Sequence, residues 1–222
     1  DGFAEQVRAA TRRHGAERVG VFLGTSTSGI LQTELAYRRR DPTTGALPDD
    51  FDYRRTHNTF SVSDFTRACF GLSGIAVAIS AACSSGAKAF AAASRCLNLG
   101  LIDAAIVGGV DSLCLTTLYG FASLQLTSAH PCRPYDAERD GISIGEAAAF
   151  ALLERADGRS GVHLLGAGES SDGHHMSAPH PQGLGAELAM QAALADAGLP
   201  AQAIDYVNLH GTATSANDAA EA

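Results

Sequence analysis

The sequence predicts an α/β protein in which a largely parallel sheet is covered by helices on both sides. Three observations carry that prediction. Short apolar runs rich in Val and Ile alternate with longer segments of helical composition. Most of those runs are apolar on both faces, as a sheet buried from both sides requires. The two most chemically suggestive residues, Cys83 and His210, each follow the C-terminal end of a predicted strand. In open α/β sheets that edge is where ligands bind.

In chain order, residues 3–14 read as a helix with Phe3, Val7 and Ala10 on one face. Arg18 to Gly24 (RVGVFLG) reads as a buried strand, Thr25 to Gly29 as a small-residue turn, and Ile30 to Arg39 as a short helix. Asp41 to Thr56 carries two prolines and little periodicity and reads as a loop. Phe60 to Phe70 is helical, with Gly71 as its stop. Ile75 to Ile79 is a strand, and the small residues Ser80 to Ser85 turn it into an Ala-rich helix that runs to Leu99. Asp103 to Val110 is another buried strand, followed by a helix over 116–124 and a charged loop over 128–144. Gly145 to Glu154 fits either a helix, by its alanines, or a central strand, by its unbroken apolar run. Val162 to Ser170 and Ile204 to Leu209 read as strands. Between them lie a His/Pro/Gly loop and an amphipathic helix over 184–197, stopped by Gly198 and Pro200. A last short helix begins near Ser215 or Asn217, either of which suits its N-cap.

The chain has 222 residues, 45% of them hydrophobic and 18% charged, which reads as ordinary globular composition. No apolar stretch is long enough to span a bilayer, so no membrane role is expected. A formal net charge of −8 disfavours a nucleic-acid partner. Five cysteines, an odd number with no CxxC pair, argue for a reducing cytosol and against a zinc site. The opening DGFAEQVRAATRRHG has neither a secretory signal nor an initiator Met, so the segment reads as cut from something longer.

Cys83 sits where a strand turns sharply into a helix. Free backbone N–H groups and the helix dipole there favour an anion, so the position suits a thiolate nucleophile. Taken alone, the stretch is better explained as a small packed hydrophobe, which is what most free cysteines are. His210, followed by Gly211, Thr212, Ala213 and Thr214, also has a structural reading when taken alone. Together the two make a Cys/His couple of the kind covalent thiol chemistry uses.

Several motifs then point one way. SAACSSGAKAF resembles the nucleophile motif of the β-ketoacyl-acyl-carrier-protein synthases. VNLHGTATSANDAAE resembles that family's HGTxT…D…E motif, with Asp218 and Glu221 at its acidic positions. CRPYDAERDGISIGEAAAFALLE resembles RPFDxxRDGFxxGEGAG, SDGHHMSAPHPQG resembles xHMTAPxPxG, and VGVFLGTSTSG resembles an early strand and turn of the family. The resemblance covers the whole chain in family order. It fits the elongating ketosynthases better than the initiating enzymes or thiolases, which lack HGTxT.

The resemblance implies a thiolase-like layered αβαβα fold, only partly represented. Residues 1–155 would be the remainder of an N-terminal half carrying the nucleophile, and residues 156–222 the start of a C-terminal half carrying the first histidine. It implies that Cys83 accepts an acyl group, that His210 assists malonyl decarboxylation, and that Thr212, Thr214, Asp218 and Glu221 support it. No cofactor and no metal are implied. The implied partners are an acyl carrier protein and a second copy in a homodimer, acting in the cytoplasm in fatty-acid or polyketide synthesis. The family's second histidine, its lysine and a Gly-rich segment lie after HGTxT, beyond Ala222. The 222-residue chain alone is therefore expected not to condense acyl groups. The alternatives are another thiolase-fold acyltransferase or a non-condensing relative and, in a different class, a non-catalytic partner subunit.

Smaller features have two readings each. His174, His175 and His180 suggest a metal, but their spacing fits no zinc pattern. Arg133, Asp136, Arg139 and Asp140 form either a catalytic network or an ion-pair knot that orders their loop. Glu146 reads as a paired structural carboxylate. Arg38 to Arg40 with Arg54, Arg55 and Arg67 form either a landing patch for an acidic carrier protein or a solvated face.

Overall fold

The structure, a computed structural model, describes residues 2–156, 158, 161–175 and 178–222. Met176 and Ser177, inside the predicted His/Pro/Gly loop, lie outside the described residues. The chain forms two compact units: Asp1–Leu115 with Gly145–Ser160, and Thr116–Ile144 with Gly161–Ala222.

The first unit is built on one sheet of four strands: β1 (Val19–Gly24), β2 (Ala76–Ile79), β3 (Ala104–Asp111) and β4 (Ala147–Glu154), in the order β2-β1-β3-β4. β1 pairs in parallel with both β2 and β3, while β4 runs antiparallel to β3. The ambiguous segment 145–154 is therefore a strand. Its alanines have helix propensity, but hydrogen bonding along the whole length of β3 overrides it.

Side-chain alternation along β1 and β3 sorts the core into two layers. Val19, Val21, Leu23, Ala104 and Ile106 face α1 (Gly2–His14), where Val7 and Ala10 are fully buried, and Val62 of α4 (Ser61–Cys69) packs on the same layer. Phe22, Ala105 and Val107 face α5 (Ser85–Asn98), packing on Ala89, Ala93 and Leu97. Full burial of a Phe or Ile side chain of this kind contributes about 1.5–3 kcal/mol. α2 (Ile30–Arg38) follows β1. α3 (Tyr53–Thr56) adds one turn inside what the sequence presents as a loop, because the Asp52 carboxylate caps it by accepting the Arg54 N–H. Gly71 stops α4 in a left-handed conformation, as expected.

One close approach positions everything that follows. A Cβ at Gly24, the last residue of β1, would come within 2.6 Å of Gly86 N and 2.5 Å of Ser85 O in the first turn of α5. The helix start lies directly on the strand end only because Gly24 has no side chain. Gly24→Val is expected to destabilise the protein by about 3 kcal/mol through backbone overpacking. Gly86→Ala, which meets open space, is expected to be neutral or better. Urea unfolding midpoints of the two variants check the contrast, and equal midpoints would refute the close-approach account.

The second unit holds most of α6 (Leu115–Ser123), together with α7 (Leu184–Ala197) and α8 (Ser215–Glu221). Here two predicted strands are not formed. Residues 162–170 and 204–209 have β-type composition but no ladder partner among the described residues. A strand exists only when a neighbour supplies N–H and C=O groups in register. Residues 162–170 lie instead along α7. A Cβ at Gly166 would meet Ala197 N at 2.6 Å, and the Ala167 N–H donates to the Asp196 carboxylate at 2.9 Å. Val162, Leu165, Tyr206 and Val207 are exposed. It follows that His210 does not sit at a strand end, which corrects the sequence reading; Cys83 does.

No helix among the described residues is long and apolar enough to cross a membrane.

Candidate active site

The first unit places Cys83 four residues after β2 and two before α5. The turn is locked by its own serines. Ser85 Oγ accepts the Ala81 N–H at 2.8 Å and donates to Ala82 O at 2.6 Å, and Ser84 Oγ donates to Ala81 O at 2.8 Å. Ala82 is held at φ +50, a left-handed conformation that costs an L residue about 1 kcal/mol or more. Strain immediately before a cysteine, fixed by side chains on either side of the helix start, is the local geometry of a strand–turn–helix nucleophile. Cys83 is exposed and Ser85 is buried, so the turn presents the thiol outward from a fastened base.

A second fastener lies on the same edge of the sheet. Asp111, at the end of β3, accepts at one oxygen the N–H groups of Ser26 (2.7 Å) and Thr27 (2.9 Å) and the hydroxyls of Thr25 (3.2 Å) and Thr27 (3.1 Å). This carboxylate orders the 25–29 turn. Sequence reasoning missed it, because a lone Asp after a glycine-containing strand carries no local signal. Glu146 accepts the Leu113 N–H at 2.9 Å, in keeping with a structural carboxylate.

The arginines of the suspected landing patch are partly compensated. Arg39 pairs with Asp50 (3.1 Å), Arg55 with Asp52 (3.3 Å), and both Arg54 (3.7 Å) and Arg67 (2.7 Å) with Asp64. These are exposed or half-exposed pairs of small individual value.

In the second unit the structure gathers His210, Thr212, Thr214, Asp218 and Glu221. Gly141, Ala213 and Asp218 are its buried positions among the described residues. The deepest part of this unit is therefore the clasp that holds the His-bearing loop. Glu221 Oε1 accepts the His210 N–H, and its Oε2 accepts the Gly211 N–H, both at 2.9 Å. Asp218 Oδ1 accepts the Ala213 N–H at 3.1 Å. Ala213 is held at φ +60 by this bond, and Thr212 Oγ1 lies 2.8 Å from Thr214 Oγ1. The two acids thus hold three backbone N–H groups of the histidine loop, those of residues 210, 211 and 213, from the middle and the end of one short helix, α8. Its N-cap is Thr214, ahead of either residue the sequence suggests.

The other half of the clasp comes from the 128–144 loop. Asp218 Oδ2 accepts the Tyr135 N–H at 2.8 Å and lies 3.4 Å from Arg139 Nε; the Tyr135 hydroxyl donates to Glu221 Oε2 at 2.8 Å. Within the loop Arg133 donates to Glu138 O at 2.6 Å, and Arg139 to Asp136 O at 2.9 Å. Of the four charged residues read as a knot, Arg133 lies 3.9 Å from Asp140, while Arg139 pairs outward with Asp218 and so ties the loop to the histidine loop. The Cys132 thiol donates to Thr212 O at 3.6 Å. Sequence reasoning did not single out Tyr135 or Cys132, since each touches the motif across about 80 residues of chain.

Burial alone would raise the Glu221 carboxyl. The N–H groups of Gly211 and His210, the Tyr135 hydroxyl and Asn217 outweigh it and hold the group below its ordinary 4.5. A depressed carboxyl stabilises the fold fully above 4.5, and that contribution is lost as pH falls through the lower folded value. Glu221→Gln is therefore expected to flatten the decline of stability with pH below about 4.5. Denaturant unfolding from pH 6 to pH 3 reads this, and parallel slopes for both proteins would count against it.

His174 and His180 stack edge to face with centroids 5.0 Å apart, and Asp172 accepts both of their backbone N–H groups. No group of three or more His, Cys, Asp or Glu side chains suited to a metal gathers among the described residues.

Residues 4–158 match the family described as "Beta-ketoacyl synthase, N-terminal domain", and residues 162–222 match "Beta-ketoacyl synthase, C-terminal domain". The chain is 37% identical over 219 residues to a 3-oxoacyl-[acyl-carrier-protein] synthase 2 of Vibrio cholerae, covering 93% of this chain and 53% of that protein. It is 35% identical over 210 residues to nodulation protein E of Rhizobium meliloti, covering 91% and 51% respectively. Among solved structures, a ketosynthase in complex with its chain length factor from Xenorhabdus doucetiae superposes with a TM-score of 0.88 at 41% identity, covering 98% of this chain and 54% of that one. The chain thus spans about half the length of the relatives it matches. Its fold is that of the thiolase-like ketosynthases, and the chain belongs to the β-ketoacyl synthase family.

Proposed function

We propose that the protein carrying this chain is a β-ketoacyl-acyl-carrier-protein synthase of fatty-acid or polyketide synthesis. The observation that carries the reading is Cys83 on its locked, strained turn at the start of α5. The Cys83 thiolate attacks an acyl thioester and forms acyl-Cys83, releasing the carrier thiol. Thiol-for-thiol exchange is nearly balanced, so no strong driving force is needed. The Cys83 backbone N–H, near the helix start, stabilises the oxyanion of that step. A malonyl thioester then loses carbon dioxide, and an N–H of the His210 imidazole stabilises the resulting enolate. The enolate carbon attacks the acyl-Cys83 carbonyl, the Cys83 thiolate leaves, and a β-ketoacyl thioester remains. Loss of carbon dioxide itself creates the carbon nucleophile, so no base is required for that step.

Thr212 and Thr214 line the same loop, and Asp218 and Glu221 hold it. We place the boundary between the N-terminal and C-terminal halves at residues 155 and 156. An acyl carrier protein is the thioester donor, as the name of the Vibrio cholerae relative suggests. A homodimer through β2 is consistent with that strand's place at the sheet edge. Five unbridged thiols support a reducing cytoplasm.

The test supplies the complete protein with acyl and malonyl carrier protein. The expected product is a β-ketoacyl thioester two carbons longer, with one carbon dioxide released per turnover. Release of neither product would overturn the reading.

A further inference from the structure

We propose that Tyr135 is a positioning residue for His210, clamping both carboxylates that hold the histidine loop. This rests on the reading of His210 given above. Tyr135 engages the two acids through different atoms. Its backbone N–H donates to Asp218 Oδ2 and its hydroxyl donates to Glu221 Oε2, each at 2.8 Å. Those same carboxylates receive the N–H groups of His210, Gly211 and Ala213. One residue of the 128–144 loop therefore fixes both ends of the clasp.

The residue is bent to this task. Tyr135 lies at φ +65, a conformation that a bulky residue keeps only when its surroundings over-determine it. The Asp218 bond to its N–H supplies that restraint. Its ring also closes on the histidine loop, since Tyr135 Cε2 lies 3.6 Å from where a Gly211 Cβ would be. Partial burial, then the Glu221 carboxylate, push the phenol up to about 12, so it stays a hydrogen donor across working pH. The hydroxyl acts on the same carboxylate that accepts the His210 N–H.

Tyr135→Phe removes only the oxygen. Without it, Glu221 Oε2 keeps two donors and loses the one that comes from outside its own loop and helix. In the complete protein, we expect acyl transfer onto Cys83 to stay within about twofold, while malonyl decarboxylation falls about tenfold, the scale of one charge-assisted hydrogen bond. Amide hydrogen exchange at His210 and Gly211 should speed up, with exchange along α7 unchanged as the control for folding. Unchanged exchange at His210 and Gly211 would overturn the proposal, as would equal losses in both half-reactions. If the unsubstituted protein itself neither acylates nor decarboxylates while Tyr135→Phe still speeds exchange at His210 and Gly211, the clamp stands and the reading of His210 as a decarboxylation residue falls.

Discussion

Cys83→Ala is expected to abolish acyl-enzyme formation and to lower condensation by about 10³-fold or more, the scale seen when a covalent nucleophile is removed. Intact-protein mass after incubation with an acyl thioester reads the first effect, since the unsubstituted protein gains one acyl group and the variant gains none. The substitution suits this test because Cys83 is exposed while the turn is held by Ser84 and Ser85. Alanine removes the sulfur and leaves the Ser84 and Ser85 bonds of the turn in place. Cys69→Ala, on an exposed thiol of α4, is the matched control and should acylate normally. An acylated Cys83→Ala protein, or one that condenses at the parent rate, would show that the turn serves packing alone.

How much of this was readable in advance differs between the two units, for a physical reason. In the first unit, periodicity and breakers located three of the four strands outright and the bounds of the fourth segment, because each has a paired neighbour and its side chains alternate between two helical layers. Only the type of the fourth, over 145–154, stayed open between helix and strand. Its alanines spoke for a helix, and only the β3 ladder, a long-range partner, decides for a strand. In the second unit the same rules misread residues 162–170 and 204–209. Apolar β-branched composition is one half of a strand; the other half is a neighbouring backbone, and no local window contains it. The site divides likewise. Cys83 and His210 were legible because their chemistry shows in short motifs. The Asp111 fastener and the Tyr135 clamp were not, because each acts across some 85 residues of sequence.

The clasp also predicts where the second unit is weakest. Asp218→Ala is expected to destabilise it by about 3–5 kcal/mol, the cost of breaking a buried charged pair from one side. Asp218 is 2% exposed and serves three groups at once: the Ala213 N–H, the Tyr135 N–H and the Arg139 guanidinium. Alanine would leave the buried Ala213 N–H without its acceptor and take from the Arg139 guanidinium the carboxylate beside it, and would release both Ala213 and Tyr135 from left-handed conformations. Asp218→Asn keeps one carbonyl acceptor and the side-chain volume, so about half of the loss should return. Urea unfolding followed by hydrogen exchange distinguishes the outcomes. Exchange should rise together at residues 210–214 and 133–139 in the alanine variant, because one carboxylate holds both. A rise confined to α8 would mean that Asp218 merely stabilises its own helix and that the two loops are held independently.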